Sequence, residues 1–259
     1  MKTVSIDVDD ARINGKLLQP SAADGPHPGV LFVHGWGSSQ RRSIGKAKQL
    51  LQAGFVCLTF NLRGHARTAE QRDTVTRAQN LRDVIAAYDL LVHQADVDPE
   101  RIAVVGGSYG GYLATLLTTE RDVRALALRA PALYKDGDFD RPKRELNLDP
   151  DLPAYRRRRV EPSENIALAA AARFAGDVLI VESEHDTVIP HPVIANYLRA
   201  FRTATSRSHE VIVDADHGLS QKVWRRAWGD VLVRWVTTHL PVSSPTVASA
   251  DGGDRRLSL

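Results

Sequence analysis

The 259-residue chain has a single cysteine, Cys57, so it can build neither a disulfide framework nor a paired thiol ligand set. That cysteine sits inside the apolar run Phe55-Val56-Cys57-Leu58-Thr59-Phe60, where a thiol behaves as a small buried hydrophobe. Long hydrophobic runs are also missing. None approaches the roughly 20 residues that a membrane-spanning helix requires, and Met1 to Val8 alternates apolar and polar residues instead of forming the apolar core of a secretory signal. The expectation is a cytoplasmic protein with no membrane partner. No charge sign dominates either: 34 basic residues face 31 acidic ones, a net +3 spread along the chain, which leaves no electrostatic footprint for nucleic acid. There is no internal repeat, and the sequence sets no oligomeric state.

What is present is an ordinary globular composition, 43% hydrophobic and 25% charged, in a chain long enough to bury one substantial core. Thr3 to Val8 and Arg12 to Leu18 read as strands joined by the turn-prone pair Asp9-Asp10. Further strands are expected at Gly29 to Val33, Phe55 to Phe60, Arg101 to Val105, Val123 to Leu128, Asp177 to Glu182 and Glu210 to Asp214. Helices are expected at Ser43 to Ala53, Arg77 to Gln94, Tyr112 to Thr119, Val193 to Phe201 and Val223 to His239. In the second of these, Leu81, Val84, Ile85, Tyr88 and Leu91 share one face. Strands alternating with helices imply an α/β fold: a parallel sheet covered on both faces, with its site at the carboxyl ends of the strands.

Two segments break that rhythm. Residues 131–173 are rich in proline and charge and read as a cap or lid insertion lying over the sheet. Residues 241–259, rich in Ser, Pro, Gly and Asp, read as a disordered tail, leaving a catalytic domain of 1–240.

The chemistry centres on Gly106-Gly107-Ser108-Tyr109-Gly110. A buried strand precedes this stretch and a helix start follows it, with about five residues between them, which is the strand, sharp turn and helix that a nucleophilic serine needs. The apex serine is forced toward positive φ, and side chains at Gly106 and Gly110 would block the approach of strand to helix. A serine needs a base, and the base needs an acid to hold its tautomer. His217, in Asp214-Ala215-Asp216-His217-Gly218, follows a strand and is the best candidate base. His34 also follows a strand but precedes Ser108 and opens a glycine loop. His65 and His185 lie in loops, and His27, His93, His191, His209 and His239 have no supporting pattern. Asp186 is the best candidate acid because it follows the strand Asp177 to Glu182. Glu182 and Glu184 stand as rivals, whereas Asp214 and Asp216 are sequence neighbours of the histidine and poorly placed to orient it. The order is then nucleophile, acid, base. An oxyanion hole needs two backbone N–H donors, expected from Tyr109 and from Trp36 in His34-Gly35-Trp36-Gly37.

Together with Asn61-Leu62-Arg63-Gly64-His65, Asp98-Pro99-Glu100-Arg101-Ile102, Asp186-Thr187-Val188-Ile189-Pro190 and Asp216-His217-Gly218, these motifs make the chain resemble the α/β-hydrolases through about Leu240. Within them it is similar to the compact bacterial dienelactone hydrolase-like and feruloyl (cinnamoyl) esterases. The resemblance implies a mostly parallel eight-stranded sheet with helices on both faces and a small insertion after the sixth strand. It also implies serine-dependent hydrolysis of a small-molecule ester, with no cofactor and no metal. Dienelactone hydrolases carry cysteine where this chain has Ser108, and no segment reads as the β-propeller of the prolyl oligopeptidases, which counts against a peptidase. Peptidase, thioesterase and acyltransferase activity on the same triad remain alternatives, and a non-catalytic binding protein is the alternative of another class. Tyr134, Phe139, Tyr155 and Trp36 can line an acyl pocket, although large residues in an insertion more often pack it down. The run Arg156-Arg157-Arg158-Arg159 reads as a solvated charged face.

Overall fold

The expected N-terminal hairpin forms from β1 (Lys2–Val8) and β2 (Ala11–Leu18), with the turn made by Asp9 at φ +52°. Ile6 and Val8 face inward while Ser5 and Asp7 face water, the alternation of a sheet edge with one solvated face. The computed structural model describes residues 1–21, 25–146 and 148–242. In it, β3 (His27–Val33), β4 (Val56–Phe60), β5 (Val97–Gly107), β6 (Ala125–Arg129), β7 (Asp177–Ser183) and β8 (Ser206–Ile212) complete an eight-stranded sheet of order β1-β2-β4-β3-β5-β6-β7-β8. Strands β3 to β8 are mutually parallel, and β2 runs antiparallel to both of its neighbours. This is the α/β-hydrolase sheet.

The helices are α1 (Arg41–Gln52), α2 (Arg77–Val92), α3 (Tyr109–Leu117), α4 (Lys143–Leu146), α5 (Leu152–Tyr155), α6 (Ile166–Arg173), α7 (His191–Ala200) and α8 (Lys222–His239). Alternate residues of the central strands feed two cores. Leu31, Val33, Ile102, Val104, Leu126, Leu128, Val178 and Ile180 pack beneath α2, α3, α6 and α7. Val30, Phe32, Ala103, Val105, Ala125, Ala127, Leu179 and Val181 pack beneath α1 and α8. Strands buried on both faces lack polar alternation, which is why they read as continuous apolar runs. Cys57 is buried in the second core, and burial pushes its thiol well above the ordinary range. Among the described residues no helix is long and apolar enough to cross a membrane.

Several boundaries differ from the sequence expectation. β8 spans Ser206–Ile212 rather than 210–214, because polar residues carry the ladder on this exposed edge and Asp214, at φ +59°, has already left it. α3 starts at Tyr109 rather than Tyr112, directly on the serine. β5 starts at Val97, with a register shift against Pro28 and Gly29 absorbing the turn expected at Asp98 to Glu100. A 3-10 segment, Ala66–Asp73, fills the connection before α2.

The insertion is also shorter than 131–173, and it is not a separate layer over the sheet. Its last part is α6, whose Ala167, Leu168 and Ala171 pack into the core of the domain, as do Leu133, Tyr134, Leu152 and Val160. The excursion proper is 131–165, and Asn165 closes it. The Asn165 Oδ1 caps α6 by accepting the N–H groups of Ala167 (3.0 Å) and Leu168 (3.1 Å), while Nδ2 donates to the Tyr134 carbonyl (2.7 Å) and the Tyr155 hydroxyl (3.0 Å). At the C-terminus, the first two residues of the expected tail, 241–259, are described. Pro241 accepts a hydrogen bond from Arg101 and Val242 packs on the core beside α8, while residues 243–259 lie outside the described residues.

Candidate active site

Ser108 lies between β5 and α3 with φ +51° and ψ −118°, a conformation that costs a non-glycine residue on the order of 1–3 kcal/mol. The surrounding contacts hold it there. Its N–H donates to the Arg129 carbonyl at 2.9 Å, and its carbonyl accepts from Gly111, Tyr112 and Ala132. A Cβ on Gly110 would fall 2.3 Å from the Val33 carbonyl oxygen, and one on Gly106 would fall 2.5 Å from the Gly110 oxygen. Both glycines are therefore demanded by backbone approaching backbone. Gly107, by contrast, has open space around its missing side chain.

Three sequence candidates come together in one hydrogen-bonded chain. His217 Nδ1 donates to Asp186 Oδ2 at 2.6 Å, and His217 Nε2 lies 3.1 Å from the Ser108 hydroxyl. The carboxylate fixes the Nδ1–H tautomer, leaving Nε2 as an acceptor toward the serine. Asp186 is itself held by the Val188 and Ile189 N–H groups at 2.9 and 2.7 Å, and its side chain is only 3% exposed. The rival carboxylates are engaged elsewhere. Glu182 bonds His191 and His209, Glu184 takes the Asp214 N–H, and Asp216 holds Ser220. The loops carrying Asp186 and His217 are joined by the His185 N–H on the Ala215 carbonyl at 2.9 Å. Arg129, on the strand end beside them, adds positive charge near Asp186, although burial lowers its guanidinium to about 10. This geometry lets a proton pass from Ser108 to His217 while Asp186 steadies the imidazolium.

Tyr109 is the first residue of α3, so its N–H has no partner within the helix. The loop holding Trp36 sits against the same turn: a Cβ on Gly35 would lie 3.4 Å from the Ser108 Cβ. Two histidines outside the expected triad position this loop. His34 Nε2 accepts the Leu62 N–H at 3.1 Å, and His65 Nε2 accepts the Gly37 N–H at 3.0 Å. Their Nδ1 atoms turn to the carbonyls of Gly35 (2.8 Å) and Arg63 (3.1 Å), as neutral rings require. Burial lowers the pKa of His34 to about 4, and burial lowers that of His65 as well. The sequence signal for both was their position in the two glycine-bearing motifs, but nothing in it paired one with the other loop's backbone.

Beside this turn is a group of aromatic rings and cations. The Trp36 ring meets the Tyr109 ring at 5.7 Å, and Tyr109 meets Tyr134 at 6.0 Å. The Lys143 ammonium lies 4.7 to 5.1 Å from the centroids of Tyr134, Trp36 and Tyr109, and burial, reinforced by Arg156 and Arg77, lowers it to about 7. Arg156 departs from the expected solvated face. It is half-buried, 5.1 Å from the Tyr134 ring, and donates to the carbonyls of Leu133 and Val188. Arg157, Arg158 and Arg159 are exposed. Tyr134 and Tyr155 are buried packing residues, and Phe139 and Trp36 are half-buried.

Comparison with known proteins gives a consistent picture. The model of the prolyl oligopeptidase family matches residues 42–242. An uncharacterized protein of Mycobacterium tuberculosis is 25% identical over 238 residues, spanning 91% of this chain and 79% of its own. The dienelactone hydrolase from Anabaena variabilis superposes with a TM-score of 0.66 at 22% identity, over 92% of this chain and 97% of that one. Est1E from Butyrivibrio proteoclasticus, with ferulic acid bound, superposes with a TM-score of 0.70 at 16% identity, over 91% and 98%.

Proposed function

Since this chain belongs to the prolyl oligopeptidase family and is a serine hydrolase, we propose that it hydrolyses carboxylic esters of small to medium acyl groups through an acyl-enzyme on Ser108. The observation that carries this reading is the chain of hydrogen bonds from Asp186 through His217 to a strained Ser108. His217 Nε2 takes the hydroxyl proton as Ser108 Oγ bonds to the ester carbonyl carbon. The N–H groups of Tyr109 and Trp36 receive the oxyanion. Collapse of the intermediate breaks the bond to the alcohol oxygen, which leaves with the proton from His217. Water, deprotonated by the same ring, then releases the acid and restores the Ser108 hydroxyl.

Ester rather than amide substrates are supported by the likeness to a dienelactone hydrolase and to Est1E with ferulic acid bound, each along nearly its whole chain. The family's own description favours a second reading, cleavage of an aminoacyl amide on the same triad. Steady-state rates on 4-nitrophenyl esters of graded acyl length and on aminoacyl 4-nitroanilides decide between them. Ester turnover that exceeds anilide turnover and disappears in Ser108→Ala is expected. Ester turnover that survives in Ser108→Ala, or a preference for anilides, overturns the proposal.

A further inference from the structure

Arg77 is the first residue of α2 and is fully buried, yet among the described residues only one of its three nitrogens has a partner. Nη1 donates to the Tyr112 hydroxyl at 3.0 Å, whereas Nε and Nη2 have no hydrogen-bond partner. These two atoms form the edge of a guanidinium that grips a carboxylate through two parallel bonds. A buried charged fork without an acceptor is costly in a folded protein, and structures generally keep such a group only where a partner arrives. Among the described residues no other neighbour fills that role. Asp136, whose charge bears on Arg77, has its carboxylate oxygens on the Ile166 N–H (2.8 Å) and Asn165 Nδ2 (3.3 Å). Aromatic rings and cations stand around it: the guanidinium lies 5.6 Å from the Tyr134 ring and 5.4 Å from the Phe139 ring. Lys143 and Arg156 approach the Tyr134 ring to 4.7 and 5.1 Å.

This cluster packs on the side chains of the two residues whose backbone N–H groups are the proposed oxyanion donors. Tyr134 packs on Tyr109, and Lys143 lies over the rings of Trp36 and Tyr109. We propose that Arg77, with Lys143 and Arg156 around the Tyr134 ring, forms a carboxylate subsite on the acyl side of the active site, so that the preferred substrates are monoesters of dicarboxylic acids. This rests on the ester-hydrolase reading above and names its substrate class. The free carboxylate of the acyl chain pairs with Nε and Nη2 of Arg77 as the half-buried Phe139 ring moves aside. A neutral acyl chain leaves that fork unpaired and is discriminated against for that reason.

The test compares 4-nitrophenyl hydrogen adipate with 4-nitrophenyl hexanoate, two esters of equal acyl length that differ in one carboxylate. The wild-type protein is expected to show a kcat/KM at least about tenfold higher for the adipate. That ratio is expected to fall by at least about tenfold in Arg77→Met, and to fall partway in Arg77→Lys, which keeps the charge and loses the fork. A wild-type preference for hexanoate, or a ratio untouched by Arg77→Lys, overturns the subsite. Binding to Ser108→Ala separates the two proposals because it needs no turnover. Calorimetric binding of monomethyl adipate, weakened by adding Arg77→Lys, supports the subsite even where no ester is hydrolysed, and that result overturns only the ester reading. Failure of monomethyl adipate to bind overturns the subsite itself.

Discussion

His65 accepts the Gly37 N–H at 3.0 Å, and through this bond the loop after β4 holds the loop that carries Trp36. The ring also stands edge-on to Trp36, 4.9 Å between centroids. His65→Phe keeps the ring contact and deletes the acceptor, leaving Gly37 free to turn. The expected result is a kcat lowered by roughly tenfold to a hundredfold with little change in KM, somewhat less than losing an oxyanion donor outright. Steady-state kinetics on a 4-nitrophenyl ester check this, and an unchanged kcat removes His65 from a positioning role.

His34 couples stability to pH. Its folded-state pKa is lowered from 6.5 to about 4, chiefly by burial, so the unfolded chain binds a proton that the folded chain refuses. The stability of the neutral ring is therefore complete above pH 6.5, falls as pH drops toward 4, and declines no further through this group below that. At about 1.4 kcal/mol per pH unit, the interval is worth roughly 3 kcal/mol. Thermal melts across pH 7 to 4 are expected to be steeper for the wild type than for His34→Gln, and parallel curves would falsify the assignment.

Asp186 and Asp216 test whether sequence proximity or geometry orients the imidazole. Asp186→Asn leaves the shape intact but favours the wrong tautomer of His217, with an expected loss in kcat of roughly 10³- to 10⁴-fold. Asp216 is bound to Ser220 rather than to His217, so Asp216→Asn is expected to stay within about threefold of wild type, since it leaves that tautomer alone. Comparable losses in the two variants contradict the triad drawn here.

The elbow glycines differ in kind. Gly110→Ala drives a methyl to 2.3 Å from the Val33 carbonyl oxygen, backbone against backbone, and is expected to destabilise the fold by about 3 kcal/mol or more. Gly107→Ala meets nothing within 4 Å and is expected to change stability by less than about 0.5 kcal/mol. Chemical denaturation of both variants measures the contrast, and equal stabilities refute it.

These cases mark what was readable in the chain. Gly106, Ser108 and Gly110 could be interpreted from sequence because their constraint is local, a few residues of backbone turning back on itself. The central strands could be read because burial on both faces removes polar residues from them. The register of β8 could not, since an exposed edge strand pairs through its backbone whatever its side chains. Nor could Arg77 and Lys143, because periodicity treats long cations as surface groups and only tertiary packing buries them. The choice of Asp186 over Glu182 and Glu184 rested on its place just past the end of a strand. The geometry adds a physical reason, in that each rival carboxylate already has hydrogen-bond partners of its own.

Asn165 gives the excursion a common knot. One amide binds the outgoing backbone at Tyr134, the middle of the excursion at Tyr155 and the start of α6. Between those points the excursion is tied down as well: Leu146, Leu152, Tyr155 and Val160 pack into the domain core, the Val160 N–H donates to Asn196, and the Lys143 N–H donates to the Val75 carbonyl. Reshaping the wall beside Tyr134 without moving Ser108, Asp186 and His217 therefore calls for point substitutions that leave these anchors and Asn165 in place, not for exchange of the whole segment.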